Sequence, residues 1–241
     1  MPRIEPVARR SLSDAVFAQL RDQIVSGELA AGEPLPAERA LCESFGVNRG
    51  ALREALKRLD QARLVAVRHG GATEVRDFRE HAGLDLLPEL LVAENGAFDP
   101  EIVSAVIEMR SALAPDVARL AAQRAGPELT VALDEIVSQM EAARGDAPAL
   151  QRLALEFWAE LVRACGNLAY RLAFNSLRES YARAMDLLTE VMRDEFADVK
   201  RYTAIARAVA GGDAEHAEGE ARLLVRRGEG RVKAALAELA S

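Results

Sequence analysis

Arg49, Arg53 and Lys57 follow one another at intervals of four residues. On a helix that spacing puts three cations on one face. Among them Leu52, Ala55, Leu56 and Leu59 stand at i, i+3, i+4 and i+7, an apolar stripe fit for a core. Asn48, just before them, is a side chain suited to cap a helix. Gly50 and Ala51 are small enough to let a backbone approach a surface closely. The chemistry on offer is recognition of a polyanion: an arginine fork holds a phosphate or reads guanine bidentately in a major groove. Arg39 adds a further cation for a phosphate, and His69 with Gly70 and Gly71 offers a small polar tip for a minor groove. A solvated basic face is the alternative for any one of these arginines. Their placement favours nucleic acid: the start of a helix, after a glycine turn, with a glycine-tipped hairpin behind.

The neighbouring sequence supplies the elements that would position them. Residues 12–26 carry Leu12, Val16, Leu20 and Ile24 at every fourth position, the mark of an amphipathic helix. Gly27 ends it, and a loop rich in Gly and Pro follows. Pro36 suits the first turn of a second helix reaching Phe45. Gly46 permits a tight turn into a third helix, which runs from Asn48 to about Ala62. Leu64–Arg68 and Thr73–Val75 read as two short strands joined at His69-Gly70-Gly71. Three helices and a hairpin over residues 1–76 describe a winged helix-turn-helix.

Residues 77–98 read as a linker carrying a short apolar helix. From residue 99 to 241 the pattern is helical throughout, with helices expected near 99–124, 127–144, 147–165, 167–193, 195–210 and 213–239. Pro115 is expected to kink the first of these, and Gly228-Glu229-Gly230 reads as a turn, too short to cradle a phosphate. The fold class is therefore mainly α, a winged helix-turn-helix followed by a helical bundle.

Bulk properties narrow the function. The net charge is −7, yet it is uneven: residues 1–78 hold 12 basic and 11 acidic side chains, while the remainder is strongly acidic. Cys42 and Cys165 have no spacing for a metal finger or a disulfide framework, which suits a reducing cytoplasm. No stretch approaches the ~20 apolar residues of a membrane span. The motifs GxSxG, HExxH and a phosphate-binding loop are absent, so there is no catalytic residue to name and an enzyme finds no support.

The run PLPAERALCESFGVNRGALREALKRLDQARLVAVRHGGATEV resembles the DNA-binding domain of the GntR superfamily of bacterial regulators. By that resemblance Arg39, Arg49 and Arg53 match DNA-contacting arginines, and His69 and Gly70 match the tip of the wing. Asn48 stands where the family has a polar Ser or Thr. Gly50 and Ala51 replace residues that often carry a hydroxyl, which leaves the operator sequence open. The implied partner is a palindromic double-stranded operator bound by a homodimer.

The segments IVSAVIEMRSALAPDVARLAAQRA, FWAELVRACGNLAY and AIARAVAGGDAEHAE resemble the all-helical FCD effector domain of the FadR subfamily, and HGGATEVRDFREHAGLDLLPELL is similar to that subfamily's wing and linker. Most FCD domains hold a divalent metal through an Asp, a His four residues on, and two later histidines. The matching positions here are Ala154, Trp158, Tyr202 and Leu224, none of them a ligand, so the resemblance implies the metal-free FadR branch and an organic effector. Long-chain acyl-CoA is the candidate that branch suggests, with a small carboxylate as the alternative; a ligand-free dimerisation scaffold ranks below both. Arg110 sits on an apolar helix, either paired with an acid such as Glu108 or Glu156 or free to anchor an effector's anion. Arg110, Trp158 and Tyr202 are the candidate effector residues. Trp158, Tyr170, Phe174 and Tyr181 otherwise read as core or dimer interface.

Overall fold

A computed structural model describes residues 12–67, 72–92 and 98–239. The chain divides into two compact units, the first reaching Leu86 and the second formed by Leu87–Leu91 and the residues from Phe98 onward.

In the first unit α1 spans Leu12–Ser26, α2 Glu38–Phe45 and α3 Arg49–Gln61. The second helix starts two residues later than the proline suggests, with Ala37 at its N-cap. Val16, Phe17, Leu20 and Ile24 of α1 and Leu52, Ala55, Leu56 and Leu59 of α3 are buried, so the two apolar stripes form one core. Strands β1 (Val65–Ala66) and β2 (Glu74–Val75) pair antiparallel, Val65 facing Val75. The Gly/Pro loop adds a third edge, with Leu35 N–H donating to the Thr73 carbonyl at 2.7 Å and Val75 N–H to Glu33 at 2.9 Å. Residues 68–71, and with them His69 and Gly70, lie outside the described residues.

The stretch from 77 to 98 is shared between the units. Asp77 caps the short α4 (Phe78–His81), and a 3-10 turn at Leu84–Leu86 follows in the first unit. Helix α5 (Leu87–Leu90) belongs to the second unit and packs on α9.

The second unit is helical throughout its described residues: α6 Pro100–Arg124, α7 Pro127–Ala142, α8 Ala147–Ala164, α9 Leu168–Arg183, α10 Met185–Val191, α11 Arg193–Phe196, α12 Val199–Ala210 and α13 Ala214–Leu239. Side-chain caps begin four of the long ones: Asp99 for α6, Asp146 for α8, Asn167 for α9 and Asp213 for α13. The centre is α6 laid along α13, with α12 against both and α7 and α8 outside them.

Two expectations change. The helix expected over 167–193 is interrupted at Ala184 and again at Met192. Helix-like bonds bridge these breaks, from Leu188 N–H to Ala184 and Met192 N–H to Leu188, both 2.9 Å. The buried series Tyr181, Ala184, Leu188, Met192, Phe196 therefore keeps its spacing, and periodicity does not register the turns. Gly228 and Gly230 are not a turn but lie inside α13. Helix α6 continues through the buried Pro115, which has no N–H to offer the carbonyl four residues before it.

Candidate nucleic-acid interface and effector cavity

Gly46 ends α2 with φ +63°, in the left-handed region that favours glycine, and its N–H caps the Cys42 carbonyl. The chain then turns directly into α3. Asn48 Oδ1 accepts from Ala51 N–H at 2.9 Å, so its carbonyl oxygen is occupied in capping. Gly50 leaves space for that cap, because a Cβ there would stand 3.2 Å from Asn48 Oδ1. We expect Asn48→Ala to lower the stability of the first unit by about 1 kcal/mol, read by urea unfolding monitored by hydrogen exchange of the α3 amides. An unchanged exchange profile would remove the cap from the account.

Arg49, Gly50, Arg53 and Lys57 are exposed on the side of α3 away from its core stripe. Arg53 Nε donates to Glu38 Oε2 of α2 at 3.0 Å, and Arg39 Nε to Glu43 Oε1 at the same distance. Arg49 has no side-chain partner among the described residues, and neither does Lys57. Both ion pairs are open to water and contribute little to stability. Arg58, on another side of α3, pairs with Asp14 and lies 4.3 Å over the Phe17 ring, fastening α3 to α1. Asp60 Oδ1 accepts from Val67 N–H at 3.3 Å, which ties the end of α3 to the strand leading toward the wing tip.

In the helical unit the acid beside Arg110 is neither Glu108 nor Glu156. It is Glu195 of α11, held by both guanidinium nitrogens, with Nη1 to Oε2 at 3.1 Å. Spacing along the chain does not pick it out, since this partner comes from a short helix 85 residues on. Glu195 is completely buried. Burial pushes its carboxyl pKa up, and Arg110 with the Gly228 backbone pulls it back. Burial also disfavours the Arg110 cation, but the adjacent carboxylate outweighs this and keeps its pKa above the ordinary value. Gly228 is what admits the carboxylate: a Cβ there would overlap Glu195 Oε2 and stand 2.6 Å from Met192 Cε.

Beside the pair lies a cavity of about 60 Å³, with Arg110, Glu195, Trp158, Phe174, Leu177 and Arg178 among its walls. Apart from the closed ion pair and Arg178 the walls are almost entirely aliphatic and aromatic. The Trp158 Nε1–H and the Tyr202 hydroxyl are both buried without a hydrogen-bond partner. The indole lies near enough to lower the Tyr202 pKa slightly, yet the two do not reach hydrogen-bond geometry. Burial holds the Tyr202 phenol well above its usual pKa, and pushes that of Tyr181 up to about 12. Both rings are therefore neutral near pH 7.

The positions matched to metal ligands, Ala154, Trp158, Tyr202 and Leu224, are all buried. Two are aliphatic, the indole N–H has no lone pair to give, and the phenol stays protonated. This donor set does not fit a divalent cation. Among the described residues no cluster of His, Cys, Asp and Glu has the makings of a metal site.

Glu195 and Arg178 were not singled out from the sequence, and Gly228 was read there only as part of a turn. A glycine inside a strongly helical stretch is the one signal that was available, since glycine costs about 1 kcal/mol there relative to alanine and needs a packing reason.

Residues 12–75 match the family of bacterial regulatory proteins named gntR, and residues 105–227 match the FCD domain. The chain is 41% identical over 222 residues to the HTH-type transcriptional regulator Mce2R of Mycobacterium tuberculosis, covering 92% of each. It is 34% identical over 176 residues to the fatty acid metabolism regulator protein of Edwardsiella ictaluri, covering 72% of each. Among solved structures it resembles Lar, which controls expression of the Listeria monocytogenes agr system, with a TM-score of 0.56 over 96% of this chain and 99% of that one at 16% identity, a likeness of fold. The two units thus define a winged-helix DNA-binding regulator with a helical FCD domain. The chain belongs to the GntR family, FCD type, and is a transcriptional regulator, not an enzyme.

Proposed function

We propose that this regulator acts as a cytoplasmic homodimer on a palindromic operator, and that an organic effector taken up by the helical unit, without a metal, modulates that binding. The observation that carries the DNA reading is Arg49, exposed on the first turn of α3 beside Gly50 and without a side-chain partner among the described residues. Arg49 and Arg53 read bases in the major groove, while Arg39 holds a phosphate. Asn48 positions that first turn, and its amide nitrogen stays available to the DNA. His69 and Gly70 take the minor groove at the wing.

Supporting the effector reading are the apolar cavity and the orphaned Trp158 and Tyr202 groups at positions where a metal would otherwise be held. Long-chain acyl-CoA is the first effector to test, because the fatty acid metabolism regulator of Edwardsiella ictaluri is a relative. The small size of the cavity favours a second reading, a smaller organic acid. An effector moves the equilibrium only by binding the DNA-bound and free arrangements unequally.

The test is operator affinity of the full chain by fluorescence anisotropy, with and without palmitoyl-CoA and with and without EDTA. Palmitoyl-CoA is expected to shift the operator Kd while EDTA leaves it unchanged. A stoichiometric transition metal in elemental analysis of the purified protein would refute the metal-free claim. An operator Kd indifferent to palmitoyl-CoA but moved by short organic acids would transfer the effector role to those acids.

A further inference from the structure

The cavity in the helical unit has a charge asymmetry that bears on how it takes a ligand. This inference rests on the reading of that unit as an effector domain. Arg110 is the cation that an effector's anion would be expected to seek, but Glu195 already grips it with both carboxylate oxygens. Displacing Glu195 would strand a fully buried carboxylate against Gly228, with no water to receive it. The inner wall therefore offers no free charge. What it does offer is an apolar surface that includes the Trp158 side chain, itself only 7% exposed. A second cation lines the same cavity: Arg178 of α9, which is exposed and has no ion-pair partner among the described residues. With Arg110 and Glu195 cancelling, the lining is left with one net positive charge, and it lies at the solvent side.

We infer that the cavity takes an amphipathic organic anion tail-first, its apolar end against Trp158 and its carboxylate or phosphate outside on Arg178, so that Arg178 and not Arg110 selects for charge. An anion on a partly exposed guanidinium gains a charge-assisted hydrogen bond without full desolvation of either group. An apolar tail in the cavity removes aliphatic and aromatic walls from water. Cations and uncharged sugars find no partner in such a lining.

Trp158 is the single tryptophan of the chain, so its emission reports the cavity directly and independently of DNA. The experiment titrates the full-length protein with butanoate, butyl phosphate and 1-butanol, which share a tail short enough for the cavity and differ in the head. Both anions are expected to change Trp158 emission and to bind about tenfold more tightly than butanol. In Arg178→Ala, whose exposed position leaves the fold intact, the two anions should fall to the butanol value, and Arg178→Lys should restore part of the difference. Equal binding of anions and alcohol by the parent protein would overturn the inference. So would an anion preference that survives Arg178→Ala, or Trp158 emission unmoved by all three probes. A preference for only one of the two anions identifies the head group and supports it. If the preference holds while operator affinity stays constant, the charge selection stands and the effector role proposed above fails.

Discussion

Glu195→Ala will lower the stability of the helical unit by about 3–5 kcal/mol, the largest effect expected of any single substitution away from the apolar core. The cause is not loss of an attractive contact as such. The substitution leaves the Arg110 guanidinium, only 11% exposed, without its carboxylate in a wall that offers no substitute. Gly228→Ala should act through the same pair from the opposite side, since its Cβ would overlap Glu195 Oε2. Urea unfolding followed by Trp158 emission reads the helical unit alone, because the chain's single tryptophan belongs to it. Replacing both partners by apolar residues of similar volume, Arg110→Met with Glu195→Leu, should recover most of the loss, as a buried ion pair and a well-packed apolar pair are often close in free energy. A single Glu195→Ala variant with an unchanged urea midpoint would show that the pair is not the fastening that its geometry suggests.

Arg49→Ala and Arg53→Ala should each weaken specific operator binding by about 10–100-fold, with little effect on folding. Both side chains are exposed, and Arg49 holds no side-chain partner among the described residues. Arg53 differs in one respect: its guanidinium must leave Glu38 to reach a base, so Glu38→Gln is expected to strengthen binding slightly at low salt. Gel-shift titrations against the operator and a scrambled duplex separate base reading from phosphate contact. A loss confined to the operator marks base reading, whereas an equal loss on both duplexes marks phosphate contact. Operator binding of both variants at the parent's affinity would remove α3 as the recognition helix.

Local chemistry made the DNA-binding unit legible in advance. The stripe Leu52, Ala55, Leu56, Leu59 fixes which face of α3 is buried, and that leaves Arg49, Arg53 and Lys57 outside. The Asn48 cap and the Gly46 turn are properties of single residues and their neighbours, and both stand where the sequence puts them. The partner of Arg53 was not legible, because Glu38 reaches it only once α2 is set against α3, whereas Arg39 and Glu43 stand four residues apart on α2 itself.

In the helical unit the sequence determined that the chain is helical, where most of the long helices begin, and that the positions at 154, 158, 202 and 224 carry no metal-ligating side chain. Periodicity and capping are read within one or two turns, and these features need no more. Tertiary structure alone decided the rest. It brought Glu195 to Arg110 across 85 residues, and it put the helical Gly228 where a carboxylate needed room. It also left the Trp158 and Tyr202 polar atoms unpartnered in the same apolar interior. Burial, desolvation and pairing depend on which atoms meet after folding, and spacing along the chain carries no record of contacts between distant helices.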